Sequence, residues 1–148
     1  MPLVAVLFFI AMVSLTAAMH VPAQEAQMAK AVANVGATSA LAYRESVVNY
    51  LNGNPTFSGT VPDSDLTFIW GHVRDARWTN VVSGGALYVY ETSPSNTPGL
   101  LDELYRKAMA SYMVGRNAAG FLVSAKGFGT GVVVPAAVPD GAILIVGK

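Results

Sequence analysis

The sequence predicts an α+β protein in which two helices pack on one face of an antiparallel sheet. Three observations support this class: a long helical pattern comes first, a shorter amphipathic helix begins near Leu100, and strand patterns follow each helix. The order helix, two strands, helix, strands is typical of α+β domains. A circularly permuted ferredoxin-like domain fits this order. A pilin-like domain, with one long N-terminal helix laid on a sheet, fits it as well.

The first 22 residues predict a membrane anchor. Residues 1–19 contain no charged side chain, and a helix of this length approaches the ~30 Å hydrocarbon core of a bilayer. No lysine or arginine precedes Lys30, so the basic segment that usually begins a secretory signal is missing. Val21-Pro22-Ala23 nevertheless satisfies the small-residue rule for signal cleavage. We predict a retained single-pass helix, with cleavage after Ala23 as the alternative.

Composition limits what the rest of the chain, residues 23–148, can be. The chain is 53% hydrophobic and 12% charged, and its nine basic and nine acidic residues balance, which argues against a nucleic-acid surface. The absence of cysteine excludes disulfides and thiolate metal sites. The part after the anchor is long enough for one domain and too short for two. We expect a single domain attached to a membrane.

The first helix of this domain is predicted from Ala23 to Leu51. Pro22 should kink or restart the helix that arrives from the anchor, and Asn52-Gly53-Asn54-Pro55 should end it. Helical spacing places one set of residues on the side expected to cover the sheet: Val32, Gly36, Ala40, Tyr43, Val47, Tyr50 and Leu51.

Two groups of residues are candidates for protein–protein contact. Ala33, Ala37 and Leu41 are expected to lie away from the sheet, where small side chains would let a helix of a second copy or of another subunit approach closely. Trp78 and Tyr88 belong, with Trp70 and Tyr90, to an aromatic group that would suit a partner if it were exposed. Packing of these aromatic residues in the core is the alternative.

A loop region and a hairpin follow the first helix. Thr56–Arg77 is expected to be loop with short extended pieces, Leu66–Trp70 being the best of them. Two strands, Trp78–Val82 and Ala86–Tyr90, then flank Ser83-Gly84-Gly85, a turn rich in residues that tolerate positive φ. A β-hairpin is therefore predicted.

The second helix is predicted from Pro98 to Val114, with Thr97 as its N-cap and Gly115 at its end. Its apolar stripe is Leu101, Leu104, Tyr105, Ala108 and Tyr112. Three strands should follow: Phe121–Ala125, Gly131–Val134 and Ala142–Val146. Because the last of these lacks apolar–polar alternation, we expect both of its faces to be covered.

No motif predicts catalysis, a cofactor or a metal. The run from Gly127 to Gly131 precedes a strand, whereas phosphate-binding loops open a helix. Ser83 is not in a nucleophile elbow, and His72 would be its only base within the domain. Asp63-Ser64-Asp65 is too short for a calcium loop and predicts a turn. We expect no enzyme activity and no small-molecule substrate.

Several segments resemble the PilM proteins of type IVb thin-pilus systems on conjugative plasmids. They are Ala42–Pro55, Gly59–Ser64, Trp78–Val81, Gly84–Tyr90 and Pro139–Ala142. The resemblance implies an assembly component of the pilus machine in the bacterial inner membrane, with a periplasmic C-terminal domain that docks other assembly proteins and no active site. The actin-like ATPase that shares this name in type IVa systems is a different protein.

Two alternatives remain open beside this interpretation. A minor pilin or pseudopilin also begins with a long apolar helix continued on a sheet. The apolar residues around Ala5 differ from a basic pilin leader, which favours a permanently anchored assembly protein. A secreted periplasmic domain with a binding or hydrolytic role is the second alternative.

Overall fold

The computed structural model describes residues 2–69 and 72–147; the side chains of residues 2, 3, 5, 8, 10 and 13–23 are outside the description. In chain order the elements are α1 (Pro2–Gly53), β1 (Trp78–Ser83), β2 (Ala86–Glu91), α2 (Leu100–Lys107), β3 (Val114–Ala118), β4 (Phe121–Ser124), β5 (Gly129–Val133) and β6 (Ile143–Val146). A 3₁₀ turn at Asp63–Asp65 matches the predicted turn. The predicted α+β class is confirmed.

The strands form one antiparallel sheet in the order β1-β2-β6-β3-β4-β5. β6 is the last strand in sequence but lies inside the sheet, where Ile145 is opposite both Val89 of β2 and Val114 of β3. All four residues of β6 are buried. The prediction that both faces of this strand are covered is therefore confirmed.

The two faces of the sheet carry separate apolar cores. One face packs against α1 and α2 and contributes Trp78, Val89 and Ile145 to the larger core. The opposite face forms a smaller core, made of Tyr88, Tyr90, Leu122, Val134, Val138, Ala142, Leu144 and Val146. The chain from β5 to β6 covers this second face, so the helices need to cover only the first.

The β1–β2 hairpin forms as predicted. Ser83 pairs with Ala86, which leaves Gly84 and Gly85 as a two-residue turn. Their φ angles are +59° and +79°, the positive values that a type I′ turn needs at both central positions. Glycine adopts these angles without the steric cost that a Cβ would bring.

α1 is a single helix that passes through Pro22. The predicted restart at this proline is wrong, since the Ala-, Gln- and Glu-containing turns after it are good helix formers and propagate the helix beyond the one lost hydrogen bond. Within the described residues, no helix carries an apolar stretch long enough to cross a membrane. Most side chains of the predicted anchor, residues 1–22, lie outside the described residues, and the anchor prediction is not tested there.

The buried side of α1 is broader than predicted and turned toward α2. Ala33 and Ala37 are buried, together with the predicted Gly36 and Ala40, whereas Val32 is 52% exposed. The physical reason is that α1 packs against α2 as well as the sheet. Two neighbours in different directions cover more of a helix than one stripe.

α2 is shorter than predicted at both ends. Gly99, with φ of 75°, precedes its first residue, and Thr97 therefore does not cap it. After Lys107, Met109 and Ala110 take left-handed φ of 56° and 58°, and the Ala110 N–H donates to the Tyr105 carbonyl to close the helix. The chain needs this early stop to turn into β3. Tyr112 is consequently outside the helix and 61% exposed.

β3 was not predicted. Its sequence Val-Gly-Arg-Asn-Ala has low β-propensity, and Gly115 was expected to end a helix. Pairing with β6 on one side and β4 on the other makes it a strand.

Candidate functional site

The helix face predicted to dock a partner is covered by the protein itself. Ala33 is 2% exposed and Ala37 is fully buried, and both belong to the core that contains Leu100 and Leu104 of α2. Leu41 is half-buried against the same core. The expectation that this face is free is wrong, because the small side chains let the protein's own α2 approach α1 closely.

The aromatic candidates are also in the interior. Trp78 is fully buried under the helices. Tyr88 is 7% exposed in the second core, and its hydroxyl donates to the Val133 carbonyl at 3.2 Å. Core packing, the alternative given for this group, is what the structure shows for both residues. Trp70 of the same group lies outside the described residues.

A buried polar cluster joins α1, β1 and the loop between them. The amide of Asn80 donates to the Tyr43 hydroxyl at 2.7 Å and to the Val61 carbonyl at 3.0 Å, and its oxygen accepts the Val61 N–H at 2.9 Å. Tyr43 in turn donates to Asp63 at 3.2 Å. Asn80 occupies an inward position between Trp78 and Val82. A polar residue at an inward strand position is a signal that sequence reasoning could have used to find this cluster.

Arg74 closes the cluster from outside. Its guanidinium lies 4.4 Å from the centre of the Tyr43 ring and 2.9 Å from Asp63, and it also donates to the carbonyls of Asp75 and Trp78. Burial is the largest cause that raises the pKa of Tyr43, so its phenol stays neutral and can donate. These contacts fix the loop before β1 onto α1.

A groove of about 680 Å³ lies between α1 and residues 72–76. On the α1 side it is lined by Val35, Thr38 and Ser39. Two polar atoms in its walls, Ser39 Oγ and His72 Nε2, are buried and have no hydrogen-bond partner among the described residues. Val73, on its rim, is 84% exposed. The groove is open to solvent and mostly apolar, and it marks the end of the uncovered side of α1.

That uncovered side carries a stripe of large apolar side chains. Met28, Val32 and Val35 are 71%, 52% and 64% exposed, and their spacing of four and three residues places them on one side of the helix. No neighbouring element of the described chain covers them. Exposed apolar side chains aligned along a helix are typical of a helix-binding surface.

The residues considered for chemistry do not form a catalytic group in the described structure. The His72 ring is tilted against the Phe68 ring, with 5.3 Å between the ring centres, whereas the exposed Ser83 ends β1 at the hairpin turn. The glycine-rich run begins in the β4–β5 connection at Gly127 and continues into β5, which starts at Gly129. The buried carboxylate of Glu91 accepts hydrogen bonds from Ser95 and from the Ile143 N–H, and so ties β2 to β6.

The described residues contain no group of three or more histidine, aspartate or glutamate side chains placed to hold a metal ion. Two ion pairs lie beside the groove and the polar cluster, one between Arg74 and Asp63 and the other between Arg77 and Asp75. Burial by itself would raise the pKa of Asp75, but the hydrogen bonds from the Arg77 guanidinium and backbone N–H together outweigh burial and lower this pKa. Each of these carboxylates already has a cationic partner.

Comparison with known proteins identifies one family. The PilM family model matches residues 5–146. The fold is similar to the crystal structure of a PilM protein from Escherichia coli B7A, with a TM-score of 0.60, 21% identity, and coverage of 79% of this chain and 92% of that chain. A PilM protein from Pseudomonas aeruginosa 2192 matches with a TM-score of 0.44, 28% identity, and coverage of 78% and 95%. No curated protein matches the chain.

Proposed function

The chain belongs to the PilM family of pilus biogenesis proteins, and from this premise we propose that it is a membrane-anchored assembly component of a type IVb pilus machine. It would act by docking other assembly proteins at the bacterial inner membrane, with its domain in the periplasm. The observation that carries the proposal is the family match over residues 5–146.

The distribution of side chains supports docking rather than chemistry. The polar cluster around Asn80 holds the fold together, and the carboxylates beside the groove are paired with arginines. The large apolar side chains left uncovered on α1 suit a protein partner. We therefore propose that the protein is not an enzyme and works without a cofactor, a nucleic acid or a small-molecule substrate.

The order of the elements supports the ferredoxin-like alternative for the core. The strands β1, β2, β6 and β3 are neighbours in that order, α1 precedes β1, and α2 connects β2 to β3. We propose that these elements are a circularly permuted ferredoxin-like unit, to which β4 and β5 add an extra hairpin. The length of α1 is also typical of a pilin-like arrangement. A minor pilin is therefore the second candidate function.

Deletion and fractionation test the proposal. The gene is deleted in a strain that makes the pilus, and the strain is complemented with the tagged full chain. We expect loss of pili on deletion, restoration on complementation, and tagged protein in the inner-membrane fraction but not in sheared pili. Tagged protein within sheared pili would replace the proposal by a minor pilin. Normal piliation of the deletion strain would contradict a role in assembly.

A further inference from the structure

A second pocket, separate from the groove, lies between α1, the end of α2 and β6, and has a volume of about 280 Å³. Its apolar wall includes Leu41, Val114 and Ile145, and its two charged side chains are Arg44 and Lys107. None of the described residues that line it is acidic. The pocket, here called the cationic pocket, therefore combines two positive charges with an apolar wall.

Arg44 is the cation of this pocket that has no partner among the described residues. Its Nε is buried and finds no hydrogen-bond acceptor there, and none of the ion pairs in the described part of the chain includes it. A Cβ at Gly147 would lie 3.5 Å from its Nη2, which places the guanidinium beside the end of β6. Because a buried charged donor without an acceptor is unfavourable, an oxygen atom brought by a ligand would stabilise this arginine.

Lys107 contributes the second charge and has only a distant partner inside the protein. Its Nζ lies 4.0 Å from a carboxylate oxygen of Glu103, and the Arg106 guanidinium donates a hydrogen bond to that same oxygen. Glu103 is thus already paired with Arg106. The Lys107 ammonium can therefore bind a second carboxylate that enters the pocket.

We propose that the cationic pocket binds an aspartate or glutamate side chain of another pilus assembly protein, with Arg44 and Lys107 as the residues that hold the carboxylate. The inference states the chemistry of a partner and rests on the proposed assembly role. Charge complementarity selects the occupant, since two cations in a lining without an acid favour a negative ligand. A planar guanidinium can donate two parallel hydrogen bonds to a carboxylate, and the apolar wall covers the methylene groups that carry it.

The position of the pocket argues against a lipid phosphate as this anion. The chain from Pro22 to Arg44 is part of one continuous helix, and at ~1.5 Å per residue it spans about 33 Å. A lipid headgroup at the membrane end of α1 would be too far away to contact Arg44. A free inorganic anion would leave the apolar wall at Leu41 and Ile145 without a partner. A carboxylate carried by a protein chain suits both parts of the pocket.

Nuclear magnetic resonance of the full chain in detergent micelles tests the pocket, because the Arg44 Nε–H gives a signal of its own. The probe is the peptide acetyl-leucyl-glutamyl-leucine amide. Its glutamine analogue is the control for charge, and inorganic phosphate is the control for a free anion. We expect the glutamate peptide to shift the Arg44 signal and to bind at least five-fold more tightly than either control. No shift at Arg44, or binding of either control as tight as that of the glutamate peptide, would overturn the inference.

Substitution of each cation separates binding from folding. Arg44→Gln and Lys107→Gln should each weaken binding of the glutamate peptide at least five-fold. Lys126→Gln is the matched control, because Lys126 lies over the Tyr105 ring and does not line the pocket; this variant should bind as the parent does. Thermal unfolding identifies the variants that remain folded, and Lys107→Gln keeps the test decisive if Arg44→Gln does not fold. A folded pocket variant of parental affinity would refute the assignment.

The outcomes are distinguishable from those for the proposed function. If piliation requires the protein but the glutamate peptide does not bind, the pocket inference fails and the assembly role stands. If the peptide binds at Arg44 while the deletion strain remains piliated, the assembly role fails. In the piliated strain, a folded Lys107→Glu variant should lose pili, and normal piliation of that variant would contradict docking through this pocket.

Discussion

Gly115 is the second residue of β3, where glycine is required for a steric reason. A Cβ at this position would clash with the Val123 carbonyl oxygen and approach Ser124 of the neighbouring strand. The neighbours are backbone atoms of β4 and cannot rotate away. Glycine therefore permits the β3–β4 pairing, although it is a poor strand former by propensity.

Gly115→Ala should consequently destabilise the protein strongly. We expect a loss of about 3 kcal/mol or more in the free energy of unfolding, since one added methyl group must displace a paired strand. Gly129→Ala is the matched control, because Gly129 is also in a strand and has open space where its Cβ would be. Urea unfolding followed by circular dichroism measures both. Equal stabilities of the two variants would contradict the steric explanation.

Tyr43 is the residue whose ionisation the fold resists. Its hydroxyl lies in the buried cluster with Asn80 and Asp63, and burial is the main cause that raises its pKa above 10.0. The folded state then binds this proton more tightly than the unfolded state. Stability should be constant below the unfolded pKa and fall as the pH rises above it, because the unfolded chain ionises first.

The alkaline loss of stability should be smaller in Tyr43→Phe. This variant should be about 1 kcal/mol less stable at neutral pH, where it lacks the hydrogen bonds of the hydroxyl. Part of the alkaline loss should persist, since burial also raises the pKa of Tyr90. Urea unfolding at several values between about pH 8 and pH 11 measures the profile. Tyr112→Phe, at an exposed phenol, serves as the control; an unchanged slope in Tyr43→Phe would refute this account.

At the scale of elements, α2 shows which features of a helix depend on the local sequence and which depend on tertiary packing. Leu104 and Tyr105 were correctly placed on its apolar stripe, and Leu104 is fully buried against α1. The end of the helix was misplaced by several residues because Met109 and Ala110 are good helix formers in isolation. The need to bring Val114 beside β6 decides where the helix stops.

Truncation of Leu104 should therefore be far more costly than truncation of Tyr112. Leu104→Ala should lower the free energy of unfolding by about 2–5 kcal/mol through a cavity between α1 and α2. Tyr112→Ala should change it by less than about 1 kcal/mol, since the ring is exposed and outside the helix. Thermal unfolding of both variants checks the difference. A large loss of stability in Tyr112→Ala would instead support the longer helix, Pro98–Val114, that the sequence predicts.

At the scale of the whole molecule, α1 connects the folded domain to the apolar N-terminal residues without a break. The balanced charge of the chain gives little electrostatic attraction to anionic lipid. Attachment to a membrane would then depend on the apolar residues of the N-terminal segment. Whether that segment stays on the protein decides between an anchored and a released form.

If the N-terminal anchor is retained, the mature protein has the mass of the full chain. We expect the protein extracted from membranes to have an intact mass that includes residues 1–23, near 15.5 kDa. A mass that begins at Gln24, with the protein in the periplasmic fraction, would show cleavage and a released domain. Extraction with detergent, but not with alkaline carbonate, is the companion measurement.

The sequence by itself determined the α+β class, the Gly84–Gly85 hairpin and the buried character of β6, because each depends on local chemistry: apolar periodicity, positive φ at glycine, and an apolar run without alternation. The resemblance to PilM proteins was likewise visible in the sequence and is confirmed by the family match. Only the tertiary structure decided that β3 is a strand and that Ala33 and Ala37 face α2. The physical reason is that a small side chain allows close approach from any direction, and which neighbour arrives depends on how distant segments pack.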